Sequence, residues 1–240
     1  YTGWRLPTLN ELYRPFRAGA DATAANPLLN PERLAGVEAG IDLTPLSALT
    51  LSATGYWNRI RGAIGNVTLG TGPGTFPGVG FVAAGGAYRQ RLNLDAIVAA
   101  GAEVDLRWRS GPWRASASWA FTDASVDASG AAAALDGMRP AQVARHHGSA
   151  SLDWTHDRAS VSVTGRYTDQ QFEDDQNTRA LADAFTLDAR IAVPLTAGLS
   201  IEARGENLTD ARVETAITGN GIVERATPRT LWIGLSYRPR

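Results

Sequence analysis

The chain has 240 residues, a net charge of −1, no cysteine, and 23 basic residues that are all arginine. These values exclude disulfides and thiolate-bound metal and give a nucleic acid no electrostatic foothold; the length suits one large β domain without excluding two small ones. No apolar run approaches the roughly 18 residues of a membrane helix. The mean hydropathy of −0.17 does not speak against a membrane barrel, in which only alternate residues face lipid.

The predicted elements begin with a truncated strand at residues 1–6. Next, Val37, Ala39, Ile41 and Leu43 oppose Glu38 and Asp42. After a tight connection near residues 44–47, Leu49, Leu51, Ala53, Gly55 and Trp57 oppose Thr50, Ser52, Thr54 and Asn58. A long Gly/Pro-rich stretch covers residues 61–89. In the strand at residues 96–109, Val98, Ala100, Ala102, Val104, Leu106 and Trp108 face away from Glu103, Asp105, Arg107 and Arg109. A turn at residues 110–112 leads to the strictest pattern, residues 113–123, with Trp113, Ala115, Ala117, Trp119 and Phe121 against Arg114, Ser116, Ser118 and Thr122. Such alternation is the period of a strand and not of a helix.

Residues 126–144 form a second long stretch, followed by a strand at residues 147–155 and a tight turn at residues 155–158. Val161, Val163, Gly165 and Tyr167 then oppose Ser162, Thr164 and Arg166. A third long stretch, residues 169–183, precedes Phe185, Leu187, Ala189, Ile191 and Val193, opposed by Thr186, Asp188 and Arg190. A turn at residues 194–198 leads to Leu199, Ile201 and Ala203, opposite Glu202 and Arg204. The last long stretch is residues 209–229 and the last strand residues 230–237. The total is about ten strands, near or above the 9–11 residues that cross a bilayer at a tilt, where soluble strands average about 5–6.

Short and long connections alternate strictly. Membrane barrels have that property, with short turns on one side of the bilayer and longer loops on the other; a soluble sandwich has no reason to keep it. Aromatic residues mark both ends: Trp108, Trp113, Trp154 and Tyr237 toward the short turns, and Trp57, Phe121, Tyr167 and Phe185 toward the long stretches. From Trp113 to Phe121 is about 26 Å along a strand and about 20 Å along the membrane normal, close to the apolar band of a barrel. The polar face mixes both signs of charge and must meet water or protein. A water-filled lumen and a plugged one remain alternatives on this argument. The expected fold is all-β, an antiparallel transmembrane β-barrel.

Several stretches resemble the C-terminal barrel of TonB-dependent outer-membrane receptors. Gly3-Trp4-Arg5-Leu6-Pro7-Thr8-Leu9-Asn10-Glu11-Leu12-Tyr13 is similar to that family's FRAPTLxELY segment. Asn26-Pro27-Leu28-Leu29-Asn30-Pro31-Glu32, with Glu38 and Gly40, resembles NPxLxPExxxxxExG, and Gly101-Ala102-Glu103 resembles a GxE strand. Gly55-Tyr56-Trp57-Asn58-Arg59-Ile60, Asn207-Leu208-Thr209-Asp210 and Pro228-Arg229 resemble later signatures in the same order. Asn207 and Asp210 bracket a strand end, where their side chains can cap freed backbone groups.

The resemblance implies a 22-stranded barrel in the bacterial outer membrane, closed by an N-terminal plug. It implies active import of a scarce ligand such as a ferric siderophore, driven through TonB. Residues 1–240 would then form the C-terminal part of the barrel domain, about its last ten strands, without the plug. The partners implied are outer-membrane lipid, the plug, TonB and a small ligand. The chain departs from the family by ending on Tyr237-Arg238-Pro239-Arg240 instead of a terminal aromatic residue. A passive porin, a non-functional remnant and a soluble β-sandwich are the alternatives.

No enzymatic constellation, cofactor or metal site is expected. His146 and His147 are adjacent in a strand and point to opposite faces. Residues 70–86 lack the Lys-Ser/Thr of a phosphate loop and read as a flexible loop, and the acidic run at residues 169–175 lacks EF-hand spacing and reads as solvated. Glu103 and Asp105 read as ion-paired in solvent. Phe76, Phe81, Tyr88, Arg89 and Phe172 are the expected ligand contacts, because aromatic and arginine side chains in outer loops are frequent binding anchors.

Overall fold

The computed structural model describes residues 1–196 and 198–237. The expectation about the tail after Tyr237 concerns residues 238–240, which lie outside them.

The alternating segments pair with their sequence neighbours into one ten-stranded antiparallel sheet. Its strands are β1 (Thr2–Arg5), β2 (Glu32–Leu46), β3 (Leu49–Arg61), β4 (Ala96–Ser110), β5 (Trp113–Asp127), β6 (His146–His156), β7 (Ala159–Thr168), β8 (Ala184–Thr196), β9 (Leu199–Glu206) and β10 (Thr230–Tyr237). β1 and β10 are its open edges. The ladder of β4 and β5 runs unbroken from Ala96↔Asp127 to Ser110↔Trp113. Its tight turn needs a left-handed residue, which Gly111 supplies at φ 55° without a Cβ penalty. Both strands extend beyond the expected ends, β5 by four residues to Asp127.

One sheet face is apolar, and no described residue covers it. Val37 is 62 % exposed, Ile41 56 %, Ile233 83 % and Leu235 70 %. Among the described residues, the two clusters of buried hydrophobic side chains belong to the long connections and the strand ends beside them. The sheet therefore has no core of its own, and its apolar face requires an apolar solvent.

Aromatic rings border that face. Near the short turns Trp113 lies 6.4 Å from Trp154, which stacks on His156 at 5.8 Å. Near the long connections Phe121 lies 5.2 Å from His146, and Trp119 stacks on the same imidazole at 5.7 Å. Two residues further toward the loops the same parity turns charged: Trp57 gives way to Arg59, Phe121 to Asp123, Tyr167 to Asp169, and Phe185 to Asp183. That step marks the edge of the apolar band.

The polar face carries cross-strand ion pairs Arg166–Asp188 and Arg190–Glu202 (2.6 Å), with Arg204–Glu206 along β9. Glu103 and Asp105 form no ion pair among the described residues, so on this point the expectation is corrected. His147 accepts or donates at 3.1 Å to the Thr168 hydroxyl, on the face opposite to His146. Asn207 caps the end of β9: its side-chain oxygen accepts from the Ala211 N–H at 2.9 Å and its amide donates to the Ala211 carbonyl at 2.9 Å.

Candidate functional site

At the loop end of the sheet the long connections fold on one another. A short helix, α1 (Leu9–Tyr13), follows β1 and was not legible as an element. Its start is a capping box, with the Thr8 hydroxyl accepting from the Glu11 N–H at 3.2 Å and Glu11 accepting from the Thr8 N–H at 2.7 Å. Arg5 bridges Glu11 (3.0 Å) to Glu32, tying the helix to β1 and β2. Burial pushes the Glu11 carboxyl up, but the Thr8 and Arg5 donors outweigh it and hold it below its ordinary range.

The connection after β3 is ordered structure, which corrects the flexible-loop expectation. Strands Ile64–Thr71 and Ala87–Asn93 pair, and a small hairpin of Gly74–Phe76 with Gly80–Val82 sits between them. Asp21–Ala24 adds to the same sheet in parallel with Ala87–Asn93. Ala22, Ala24, Val82 and Tyr88 form a buried cluster beneath it. Arg17 donates to the Phe81 carbonyl at 2.8 Å, and Arg91 donates to the Asn10 and Arg14 carbonyls at 2.7 and 2.8 Å.

Residues 169–183 are the hub of the assembly. Asp175 accepts from the backbone N–H and the hydroxyl of Thr68, both at 2.7 Å. Asp174, 5 % exposed, accepts from the Thr178 hydroxyl at 2.6 Å and the Arg179 N–H at 2.7 Å. Burial pushes the Asp174 carboxyl up, yet these donors hold it below the usual carboxylate range. Arg179 donates to the Ile217 carbonyl at 2.9 Å, and Glu214 accepts from the Ala182 N–H at 3.0 Å. Asn177 exchanges two hydrogen bonds of 2.9 Å with the Arg139 backbone. Residues 169–183 thus bind three other connections, and within the acidic run Asp174 is buried and Asp175 is hydrogen-bonded to Thr68 instead of lying solvated.

Between these elements lies a cavity of about 350 Å³. Leu94, Ile97 and Val126 form its apolar floor, and Arg89, Arg139 and Asp174 are among its polar walls. Arg89 pairs with Asp21 at 3.0 Å, and both residues also line an adjacent cavity of about 130 Å³. Of the expected ligand contacts, Arg89 therefore faces both spaces. Phe76 and Tyr88 stack at 4.6 Å, with Tyr88 in the buried cluster. Phe81 is 62 % exposed on the hairpin. Phe172 lies in a different connection, with the Arg139 guanidinium 4.8 Å above its ring. Sequence reading passed over Asp21 and Arg139 and took Asp174 and Asp175 as part of a solvated run. The spacing of Asp174 from Thr178, suited to a local side chain–backbone turn, was the available signal.

Residues 1–208 match a family model described as TonB dependent receptor-like, beta-barrel. No curated protein matches the sequence. Among solved structures, the copper transporter OprC superposes with a TM-score of 0.70 at 16 % identity, covering 98 % of this chain and 36 % of OprC. The ferric yersiniabactin uptake receptor FyuA from Yersinia pestis gives 0.69 at 17 %, covering 98 % and 33 %. A variant of the ferric enterobactin receptor PfeA from Pseudomonas aeruginosa gives 0.64 at 20 %, covering 98 % and 37 %. The chain spans about a third of the length of each, and at these identities the likeness speaks to the fold.

Proposed function

The chain belongs to the TonB-dependent receptor β-barrel family, and from that premise we propose that it forms the C-terminal ten strands of a 22-stranded outer-membrane receptor that imports a scarce small ligand. A ferric siderophore or another metal chelate is the cargo class, since the similar structures carry names of copper, yersiniabactin and enterobactin transport. The observation that carries the reading is the combination of an apolar face without a core and an interlocked loop assembly at one end of a charged face. The first meets lipid; the second forms a vestibule over a lumen that a plug would close.

In this reading, cargo enters through the loop assembly. Phe81, Arg89 and Phe172 contact it, while the Phe76–Tyr88 stack sets the shape of the hairpin that presents Phe81. TonB supplies energy through the plug, and the chain itself performs no catalysis.

The test is uptake by cells that lack other receptors and express the receptor carrying this chain. Labelled ferric siderophores should accumulate only when TonB is present. Equal uptake of small solutes with and without TonB would identify a passive porin and overturn the proposal.

A further inference from the structure

A charge cluster lies on the apolar-face parity, just beyond the outer aromatic row and outside the cargo path proposed above. Arg33 on β2 and Arg61 on β3 are direct cross-strand partners, and both are exposed. Trp4 lies opposite Arg33 on β1, and Ala96 lies opposite Arg61 on β4. Like charges directly opposite each other on one sheet face repel. Among the described residues no carboxylate pairs with either guanidinium, Asp95 beside Ala96 included. One step lower on the same parity, Arg59 binds Asp127 at 3.0 Å, while its Nε is buried without an acceptor. Donors therefore exceed acceptors in this cluster.

The height of the cluster says what could balance it. Arg61 lies four residues beyond Trp57, about 13 Å along the strand and about 10 Å along the membrane normal, and arginine side chains reach back toward the interface. The Arg33 guanidinium lies 5.0 Å from the Trp4 ring centroid, which orients it. Below the arginines, Val37 and Trp57 are cross-strand partners and are 62 % and 42 % exposed. Cationic forks thus sit directly above an apolar strip, at the level where lipid headgroups carry phosphate.

We propose that Arg33, Arg59 and Arg61 seat the phosphate of an outer-leaflet lipid headgroup, with the lipid's acyl chains lying along Val37 and Trp57. The phosphate accepts from the guanidinium forks and removes the Arg33–Arg61 repulsion. This inference rests on the apolar face meeting outer-membrane lipid, and it is independent of the cargo.

The experiment is native mass spectrometry of the receptor carrying this chain, in a phosphate-free detergent, with lipid A bearing both phosphates and with the same lipid dephosphorylated. The expected result is retention of the phosphorylated form, with the dephosphorylated form and the Arg33→Gln/Arg61→Gln variant each at least about tenfold weaker. Arg107→Gln, on the polar face, should bind as the wild type does. Equal retention of the two lipids, unchanged binding by the double variant, or full displacement by millimolar inorganic phosphate would each overturn the lipid seat. Heat-modifiable electrophoretic mobility reports the folded barrel separately. Where the double variant lacks it, Arg61→Gln alone takes its place under the same criterion. A wild type lacking it would overturn the barrel reading and this inference with it, whereas loss of cargo uptake alone would leave the inference standing.

Discussion

Tyr56 lies across Gly101, its direct partner on the neighbouring strand, and reaches past it to place its hydroxyl 2.8 Å from that of Thr122 on the next strand. A Cβ at position 101 would collide with the Tyr56 ring and with the Phe121 carbonyl. One aromatic side chain thus locks three strands on the polar face.

Gly101→Val should destabilise the barrel by about 1–3 kcal/mol through overpacking, and Tyr56→Phe by about 1 kcal/mol through the lost hydroxyl contact. Guanidinium unfolding of the receptor in lipid, followed by tryptophan fluorescence, measures both. An unchanged midpoint for Gly101→Val would mean that the lock is dispensable.

Charge placement tests which face meets lipid. Val163→Arg or Ala117→Arg should cost about 2–4 kcal/mol in a bilayer, whereas Thr164→Arg, one residue away on the polar face, should cost far less. Equal tolerance at positions 163 and 164, read from folding yield into vesicles, would invert the assignment of faces.

Acid should loosen the loop assembly. The folded-state pKa of Asp174 is lowered, so the stabilisation it gives is present above the ordinary carboxylate value near 3.9 and is lost as pH falls through the depressed folded value. The protection of the Thr178 and Arg179 amides, whose N–H groups Asp174 holds, measured relative to their intrinsic exchange rates, should fall below about pH 4. Asp174→Asn should remove that pH dependence while leaving the strands of the main sheet protected.

Changing Arg89, one of the two cavity arginines, should act on cargo. Arg89→Gln should weaken binding of a recognised ferric chelate by about tenfold or more, the scale of a lost charge-assisted hydrogen bond; Phe81→Ala and Phe172→Ala should do so without unfolding the loops. Isothermal titration on the receptor, with amide exchange as the control for loop integrity, separates the two effects. Wild-type affinity in all three variants would remove these residues from the contact surface.

The main sheet was legible in the sequence because a two-residue period survives inspection residue by residue: Trp113 to Phe121 and Leu231 to Tyr237 announce their faces locally. The resemblance to a GxE strand singled out Gly101, although only the packing of Tyr56 explains it. The loop assembly was not legible. One of its two buried clusters sets Ala22 and Ala24, small residues that leave no amphipathic signal, against Val82 and Tyr88. Its fastenings join distant segments, as in the Thr68–Asp175 pair, 107 residues apart. Of the expected contacts, Arg89 and Phe172 were nameable by residue type, but the partners that orient them, Asp21 and Arg139, lie in other segments.

Because among the described residues the apolar side chains of the main sheet pack on nothing of their own, that sheet has no dry interior to assemble first; the buried clusters belong to the long connections and the strand ends beside them. Hydrophobic collapse in water would have to bury that face against itself or another chain, producing a compact state unlike the native one. On the membrane reading proposed above, folding of the sheet and its entry into the bilayer are therefore a single event.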